Sequence, residues 1–209
     1  MLRYKLTDAN DRTYNNTQWG KHVTHTASGA GALCGAGWIH VYTHPLLALL
    51  LNPIHGNFRD PHLWKCECSG ECKTDYGLKE GWTSVTTTRR IHVPAITTEQ
   101  RVRFGILCGK AVYAEPVWNA WADKWLSGED RSLAAASRAA RAASAAAARA
   151  AEVAEAAASR AAVDSDDVKW AVASVASRAA SPVAADAAYA TGTPLDLIAI
   201  AIEACGDPK

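Results

Sequence analysis

Long apolar runs, an excess of one charge and familiar catalytic motifs are all missing from this 209-residue sequence. No apolar run reaches the roughly 20 residues of a membrane-spanning helix, which predicts a protein without a membrane span. The 22 Lys and Arg nearly balance the 21 Asp and Glu, so the charge gives no indication of bulk nucleic-acid binding. P-loop, dinucleotide-binding, HExxH and Gly-x-Ser-x-Gly motifs are absent, and we predict no cofactor.

Cysteine is present, but its spacing is unlike that of a disulfide scaffold or a zinc site. Cys66, Cys68 and Cys72 follow His62 closely, yet their gaps of one and three residues differ from the two-residue gap usual in structural zinc sites. We therefore predict reduced cysteines and no bound metal, with a metal cluster as the alternative. Reduced cysteines favour a reducing compartment, which predicts the cytoplasm.

Composition divides the chain near residue 130. Residues 1–130 hold seven of the eight Trp and all seven His, whereas residues 131–209 are dominated by Ala. Gly128 lies at the division, and glycine commonly ends a helix. We predict an α+β ligand-binding domain at 1–130 and an all-α region at 131–209 that serves oligomerisation or packing.

Alternation of apolar and polar residues predicts a small antiparallel sheet in the first region. The alternating segments are Arg3–Thr7, Trp38–Tyr42, Leu63–Ser69 and Thr83–Val93. The intervening stretch from Asn10 to Ala36 is rich in Asn, Thr and Gly and predicts turns, with a weak strand signal near His22–His25.

Helix signals follow the alternating segments. Pro45 opens a short apolar helix that ends at Asn52-Pro53. Thr97 and Gln100 have capping-box spacing and open a second helix, and Pro116 opens a third. We predict that the second and third helices close the sheet.

The Ala-rich tail repeats with a period of 11 residues. Arg138, Arg149 and Arg160 share this spacing and therefore one side of a helix. A solvated row with partners such as Glu152 is the first interpretation, and an anion-binding row is the alternative. Further helices are predicted after residue 165, the last of them ending at Gly206. Because a long Ala-rich helix buries little apolar area alone, we predict a homo-oligomer.

Arg89 is the first candidate binding residue. On the alternating segment Thr83–Val93 it shares the apolar face with Val85, Ile91 and Val93. An Arg on such a face needs an anionic partner or a route to solvent. Two partners stay open, a protein carboxylate such as Glu67 and the phosphate of a ligand.

Three further residues complete the predicted site. Trp19 lies in a predicted loop, where no periodicity explains an indole, so it either stacks on a base or covers the edge of the sheet. We predict an anionic ligand of nucleotide size held by Arg89, with Trp19 on its base and His40 or Arg59 assisting. No catalytic residues are assigned.

Several short segments resemble a family of bacteriophage proteins. These include Thr17–Gly20 (TQWG), Gly37–His40 (GWIH) and Asn52–His55 (NPIH). The resemblance covers roughly residues 1–133, and members of this family carry Ala-rich helical tails. In its plan the chain is also similar to phage anti-defence sponges, which sequester the cyclic nucleotide signals of bacterial immunity. The resemblance implies a protein of the cytoplasm of the bacterial host.

Three functional hypotheses follow. The first is a sequestering protein that binds a cyclic ADP-ribose isomer or a cyclic oligonucleotide without altering it. The second is a nucleotide-modifying enzyme of the ADP-ribosyl-transfer type, for which Glu67 and His40 are the candidate reacting groups. The third is a phage structural or scaffold protein built around the tail. We favour sequestration, because no reacting pair can be assembled from the spacing.

Overall fold

The computed structural model describes residues 1–75, 77–112, 116–132 and 195–206. The chain divides into two compact units, of which the first holds Met1–Ala95 and the second begins at Ile96. The fold is of mixed α and β content, and its strands pair in antiparallel fashion, as predicted. The predicted boundary at residue 130 stays a prediction, since most of the Ala-rich tail lies outside the described residues.

The first unit is built on a five-stranded antiparallel sheet of order β1-β6-β7-β4, with β5 paired to β7, and a separate β2–β3 hairpin. The strands are β1 (Leu2–Thr7), β2 (Arg12–Thr13), β3 (Thr17–Gln18), β4 (Val23–Thr26), β5 (Ile39–Val41), β6 (His62–Asp75) and β7 (Lys79–Ile91). The two long strands β6 and β7 form a hairpin, and Gly77 in its turn has φ +86°. A positive φ of this size favours glycine, which explains the residue at this turn.

A β-bulge interrupts the β6–β7 ladder. Lys65 lies opposite Arg89, whereas the next residue, Cys66, lies opposite Thr87. Thr88 is therefore the extra residue, and the side chains that follow it change face. Thr87 is buried, but Arg89 is exposed.

Two short helices of the first unit follow β5. The first, α1 (Pro45–Leu50), has Pro at its first position, and the His44 ring accepts a hydrogen bond from the Leu46 N–H. Its residues from Leu46 to Leu50 are all buried, and the helix packs against β1. The next, α2 (Asn52–His55), begins at the predicted Asn52-Pro53 stop.

Three further helices begin or end at the predicted signals. They are α3 (Thr98–Val112), α4 (Pro116–Ser127) and α5 (Leu197–Cys205). The Thr97 hydroxyl accepts from the Gln100 N–H while the Gln100 side chain accepts from the Thr97 N–H, which confirms the capping box. Gly128 and Gly206 follow α4 and α5 with φ values of +83° and +79°.

The predicted row of Arg138, Arg149 and Arg160, and the helices predicted between residues 165 and 194, lie outside the described residues. No helix within the described ranges is both long and apolar enough to cross a membrane.

Candidate anion-binding cleft

A cleft of about 480 Å³ opens in the first unit. Its lining comes from β1, the β2–β3 hairpin, β4, the loop between β4 and β5, β5 itself, and the segment around α2. The basic lining residues are Lys5, His25, His40 and His55. Among the residues that the structure describes, no Asp or Glu lines the cleft. A wall of this composition favours an anionic occupant.

Lys5 is the buried cation of the cleft. It lies on β1 opposite Trp64 of β6, and only 7% of the residue is exposed. Its ammonium donates to the His40 carbonyl at 2.8 Å and lies 5.0 Å from the centre of the Trp19 ring. Within the described part of the chain no carboxylate forms an ion pair with it. A buried ammonium without a carboxylate is uncommon in folded proteins, because burial without a charged partner is unfavourable.

Burial lowers the pKa of Lys5 to about 8. The neighbouring thiols of Cys66 and Cys68 act in the opposite direction, but their contribution is smaller. With a pKa of about 8, Lys5 is still mostly protonated at neutral pH. The cleft therefore presents a positive charge in a poorly solvated position, where attraction for an anion is stronger than at the surface.

His55 and Tyr42 form a neutral hydrogen-bonded pair on the cleft wall. The Tyr42 hydroxyl lies 3.1 Å from His55 Nδ1, and the two rings stack at 5.9 Å. Burial lowers the pKa of His55 to about 3, helped by the positive charge of Lys79 and by His40. Burial also raises the pKa of Tyr42, so its hydroxyl stays protonated.

His40, one of the predicted site residues, lines the cleft, and its role in binding stays a prediction. It belongs to β5, and its Nε2 donates to the Leu33 carbonyl at 2.5 Å. Its own backbone carbonyl holds Lys5. His40 thus links the loop before β5 to the buried ammonium.

Trp19 lines the cleft but differs from the predicted loop platform. Only 3% of it is exposed, and it packs in a core cluster with Val41, Cys66 and Val85. Its indole N–H donates to the Thr13 hydroxyl at 2.8 Å. The structure therefore agrees with the packing alternative for its position, and stacking on a base stays a prediction.

Tyr14 is an exposed aromatic residue of the cleft that was not among the predicted site residues. It is 83% exposed and begins the turn between β2 and β3. Asn15 and Asn16 follow it with φ values of +57° and +55°, a conformation that Asn adopts more readily than most residues. The Asn pair was the available signal for a tight turn that leaves the preceding ring exposed.

Arg89 and Arg59 do not line the cleft. The expectation that Arg89 lies on the apolar face of β7 is wrong, because the bulge at Thr88 turns its side chain to the exposed side. Arg59 is exposed in the loop after α2. Of the four predicted residues, the cleft brings together Trp19 and His40 only.

Cys66 and Cys68 share the core face of β6, as the alternation predicted. Cys72 is exposed, beyond an irregularity of the ladder between Ser69 and Cys72. In the described ranges, no group of three or more His, Cys, Asp and Glu is placed to hold a metal ion. The cysteines of these ranges are free thiols.

Comparison with family models, with curated proteins and with solved structures gave no match for this chain. The resemblance to a bacteriophage family therefore stays a prediction from the short motifs. The candidate site rests on the geometry of the cleft alone.

Proposed function

We propose that the first unit binds a small anionic ligand of nucleotide size in the cleft and holds it there unaltered. The observation that carries this proposal is the buried ammonium of Lys5, which lines the cleft and has no carboxylate partner among the described residues. A volume of about 480 Å³ fits within the range of small-molecule pockets. A phosphate at the ammonium would supply the missing negative charge.

The remaining wall suits a ligand that also carries a ring. Tyr14, Trp38 and Phe58 line the cleft together with the neutral His55–Tyr42 pair. Tyr14 is exposed enough to cover a base, and aromatic stacking is tolerant of which base is present. This combination of one buried cation and several rings favours a nucleotide-derived ligand over a simple inorganic anion.

Within the proposal, the protein is a phage protein of the host cytoplasm that sequesters a cyclic ADP-ribose isomer or a cyclic oligonucleotide of bacterial immunity. The sequence resemblance supports this biological setting, and the chemistry of the cleft supports the ligand class. The proposed homo-oligomer rests on the Ala-rich tail, and light scattering of the full chain tests it. A clean monomer at high micromolar concentration would overturn that part.

Sequestration is favoured over the enzyme hypothesis by the position of Glu67. Glu67 was the candidate reacting carboxylate, but it is exposed on β6 and does not line the cleft. His40 lines the cleft, and no Asp or Glu of the described residues does. The described cleft thus offers groups that bind an anion but no carboxylate for general acid–base chemistry.

Titration calorimetry with cyclic ADP-ribose isomers, cyclic dinucleotides and cyclic mononucleotides tests the proposal. We expect one ligand class to bind and to be released intact after heat denaturation. Lys5→Met should weaken binding by about 30-fold or more, as expected for the loss of a buried charged partner. Altered ligand after release would favour the enzyme, and no uptake of any ligand would favour a scaffold protein.

Lys65→Met is the matched control. Lys65 carries the same charge on the neighbouring strand, but it pairs with Tyr4, one position from Lys5, and so lies on the opposite face of the sheet. We expect its replacement to leave binding within about twofold. Equal losses in the two variants would mean that Lys5 acts through net charge and not as a ligand contact.

A further inference from the structure

Two of the described cysteines are exposed, and they lie in different electrostatic surroundings. Cys34 and Cys72 are the exposed thiols, whereas Cys66, Cys68 and Cys108 are buried. Partial burial and, to a smaller extent, the negative charge of Glu80 raise the pKa of Cys72. Cys34 instead lines the cleft, where the described lining residues include no Asp or Glu.

Cys34 is held on a well-anchored loop between β4 and β5. The Gly29 N–H donates to the Gly37 carbonyl at 2.9 Å, and the Leu33 carbonyl accepts from His40. Gly37 packs so closely on Ala30 that a Cβ there would lie 2.0 Å from the Ala30 carbonyl oxygen. The thiol is therefore presented at the cleft from a fixed backbone.

Lys79 contacts the Cys34 sulfur directly. Its Nζ lies 3.2 Å from Sγ, and only 7% of the residue is exposed. In the described part of the chain no ion pair to a carboxylate competes for this ammonium. The attacking species in thiol–disulfide exchange is the thiolate, and the ammonium attracts its negative charge.

We propose that Cys34 is a modification site that forms a mixed disulfide with an anionic low-molecular-weight disulfide, the class of glutathione disulfide. The Cys34 thiolate forms a bond to one sulfur of the reagent, the S–S bond of the reagent breaks, and the other sulfur leaves as a thiolate. Cys34 is oxidised, the leaving thiol is reduced, and the proton of Cys34 passes to solvent. The preference for an anionic reagent rests on the proposed anion site, whereas the contact with Lys79 stands independently.

Exchange rates with two reagents test the inference. The dianionic 5,5′-dithiobis(2-nitrobenzoate) and the uncharged 4,4′-dithiodipyridine differ in charge but report the same reaction. In Cys72→Ser protein the fast phase reports Cys34, and in Cys34→Ser protein it reports Cys72. We expect Cys34 to react roughly tenfold faster with the dianion than Cys72 does, and to show the higher ratio of dianion to neutral rate. Equal rates, or equal ratios at the two sites, would overturn the inference.

Variants of Lys79 and Lys5 separate the effect of the Lys79 contact on the exchange rate from the effect of the anion site on the choice of reagent. Lys79→Met should slow the exchange of Cys34 with both reagents about tenfold, and Lys79→Arg, which keeps the charge, should restore most of the rate. Lys5→Met should lower only the preference for the dianion. If Lys79→Met leaves the rate unchanged, the contact with Lys79 has no chemical role and the inference fails.

Two further measurements identify the adduct and show whether the modification of Cys34 depends on the proposed anion site. With glutathione disulfide, peptide mapping should find the adduct on Cys34, and dithiothreitol should remove it. Calorimetry on Cys34→Ser protein tests the anion site without the thiol. Ligand binding by the Cys34→Ser protein, together with no adduct on Cys34 of the wild type, would overturn the modification site alone. An adduct with no binding would overturn the proposed function and leave the thiol chemistry standing.

Discussion

The first unit carries cationic side chains in two regions. One is the cleft around Lys5, and the other is the exposed end of β7 at Arg89 and Arg90. The regions differ in the groups that surround each positive charge. Arg90 lies 3.0 Å from His62 Nδ1 and 3.7 Å from an Asp11 carboxylate oxygen, and 53% of its side chain is exposed. Lys5 is buried and has a backbone carbonyl and an aromatic ring as its neighbours. An exposed pair is screened by solvent, whereas a buried cation gains much from any anion that reaches it. Burial, and the lack of a carboxylate partner among the described residues, therefore distinguish the candidate site more than the number of charges does.

Asp11 supplies a negative charge next to Arg90 in the second region. It has φ +58°, and its Oδ1 accepts from His62 Nδ1 and from the Trp64 indole, each at 2.8 Å. Burial by itself raises the pKa of Asp11, but the hydrogen bonds from His62 and Trp64 outweigh it and lower the pKa. This end of the sheet thus contains its own anion.

Trp19→Ala should produce the largest change in stability. It also tests whether the indole packs in the core or contacts the ligand. Because Trp19 is part of the core, its truncation should lower the free energy of unfolding by about 3–5 kcal/mol. Chemical denaturation measures this loss. A stable Trp19→Ala protein that binds ligand poorly would show instead that the indole acts mainly on the ligand.

Lys5→Met sharpens the comparison through the pH dependence of stability. The folded pKa of Lys5 is about 8, below the unfolded value of 10.5, so between these pH values the unfolded state binds more protons and the Lys5 contribution to stability rises with pH. Below pH 8 both states are protonated, and burial of the ammonium opposes folding by about 3 kcal/mol. Lys5→Met should remove this rise and be as stable as the wild type or more so at pH 7.

The measurement is the difference in unfolding free energy between wild type and Lys5→Met from pH 7 to 11. The difference cancels other groups that titrate in this range, but the thiols of Cys66 and Cys68 face Lys5 and must be intact in both proteins. A difference that does not change with pH would mean that Lys5 is not buried as a cation. Ligand affinity should fall in the same wild-type series as the pH rises above about 8.

Asp11→Asn probes the region that contains its own anion. Asn keeps the left-handed backbone but loses the charge, so the hydrogen bonds from His62 and Trp64 weaken and stability should fall by about 1–2 kcal/mol. The pKa of Asp11 is lower in the folded state than in the unfolded state. Its contribution to the free energy of unfolding is therefore present above the unfolded pKa and is lost as pH falls through the folded pKa. Acid unfolding curves of the two proteins should therefore converge at low pH. Curves that stay parallel would contradict this account.

Arg89→Ala should have the smallest effect. The residue is exposed beyond the bulge, so stability should change by no more than about 0.5 kcal/mol and ligand affinity by less than about twofold. Thermal unfolding and calorimetry check the two values. A large loss of affinity with a normal fold would return Arg89 to the binding site and weaken the contrast with Lys5.

Much of the fold could be predicted because its signals are local. Proline at the first position of α1 and the Thr97–Gln100 capping box act within a few residues, and the helices begin where these signals indicate. The core face of β6 followed from simple alternation. The Arg89 error arose from a single inserted residue at Thr88, which no local pattern in the strand reveals.

The candidate site was harder to predict because burial on both faces of a strand is a tertiary property. In the alternating segment Arg3–Thr7, Tyr4 and Leu6 share one face and Lys5 lies on the other, which gives no sign that Lys5 is buried. In the structure Lys5, Leu6 and Thr7 are all buried, since the helix α1 and the Trp19 cluster border the strand. Only the assembled sheet shows that this lysine is almost fully buried.

The pairing of β1 with β6 has a kinetic consequence. The β6–β7 hairpin joins neighbouring segments, whereas the pairing of Lys5 with Trp64 closes a loop of nearly 60 residues, which is slower because more chain entropy is lost. We expect the hairpin to form early in folding and β1 to dock late, carrying the lysine into place. The cleft then exists only in molecules that have passed the last barrier, and a bound anion would lengthen the lifetime of the native state by slowing the departure of β1.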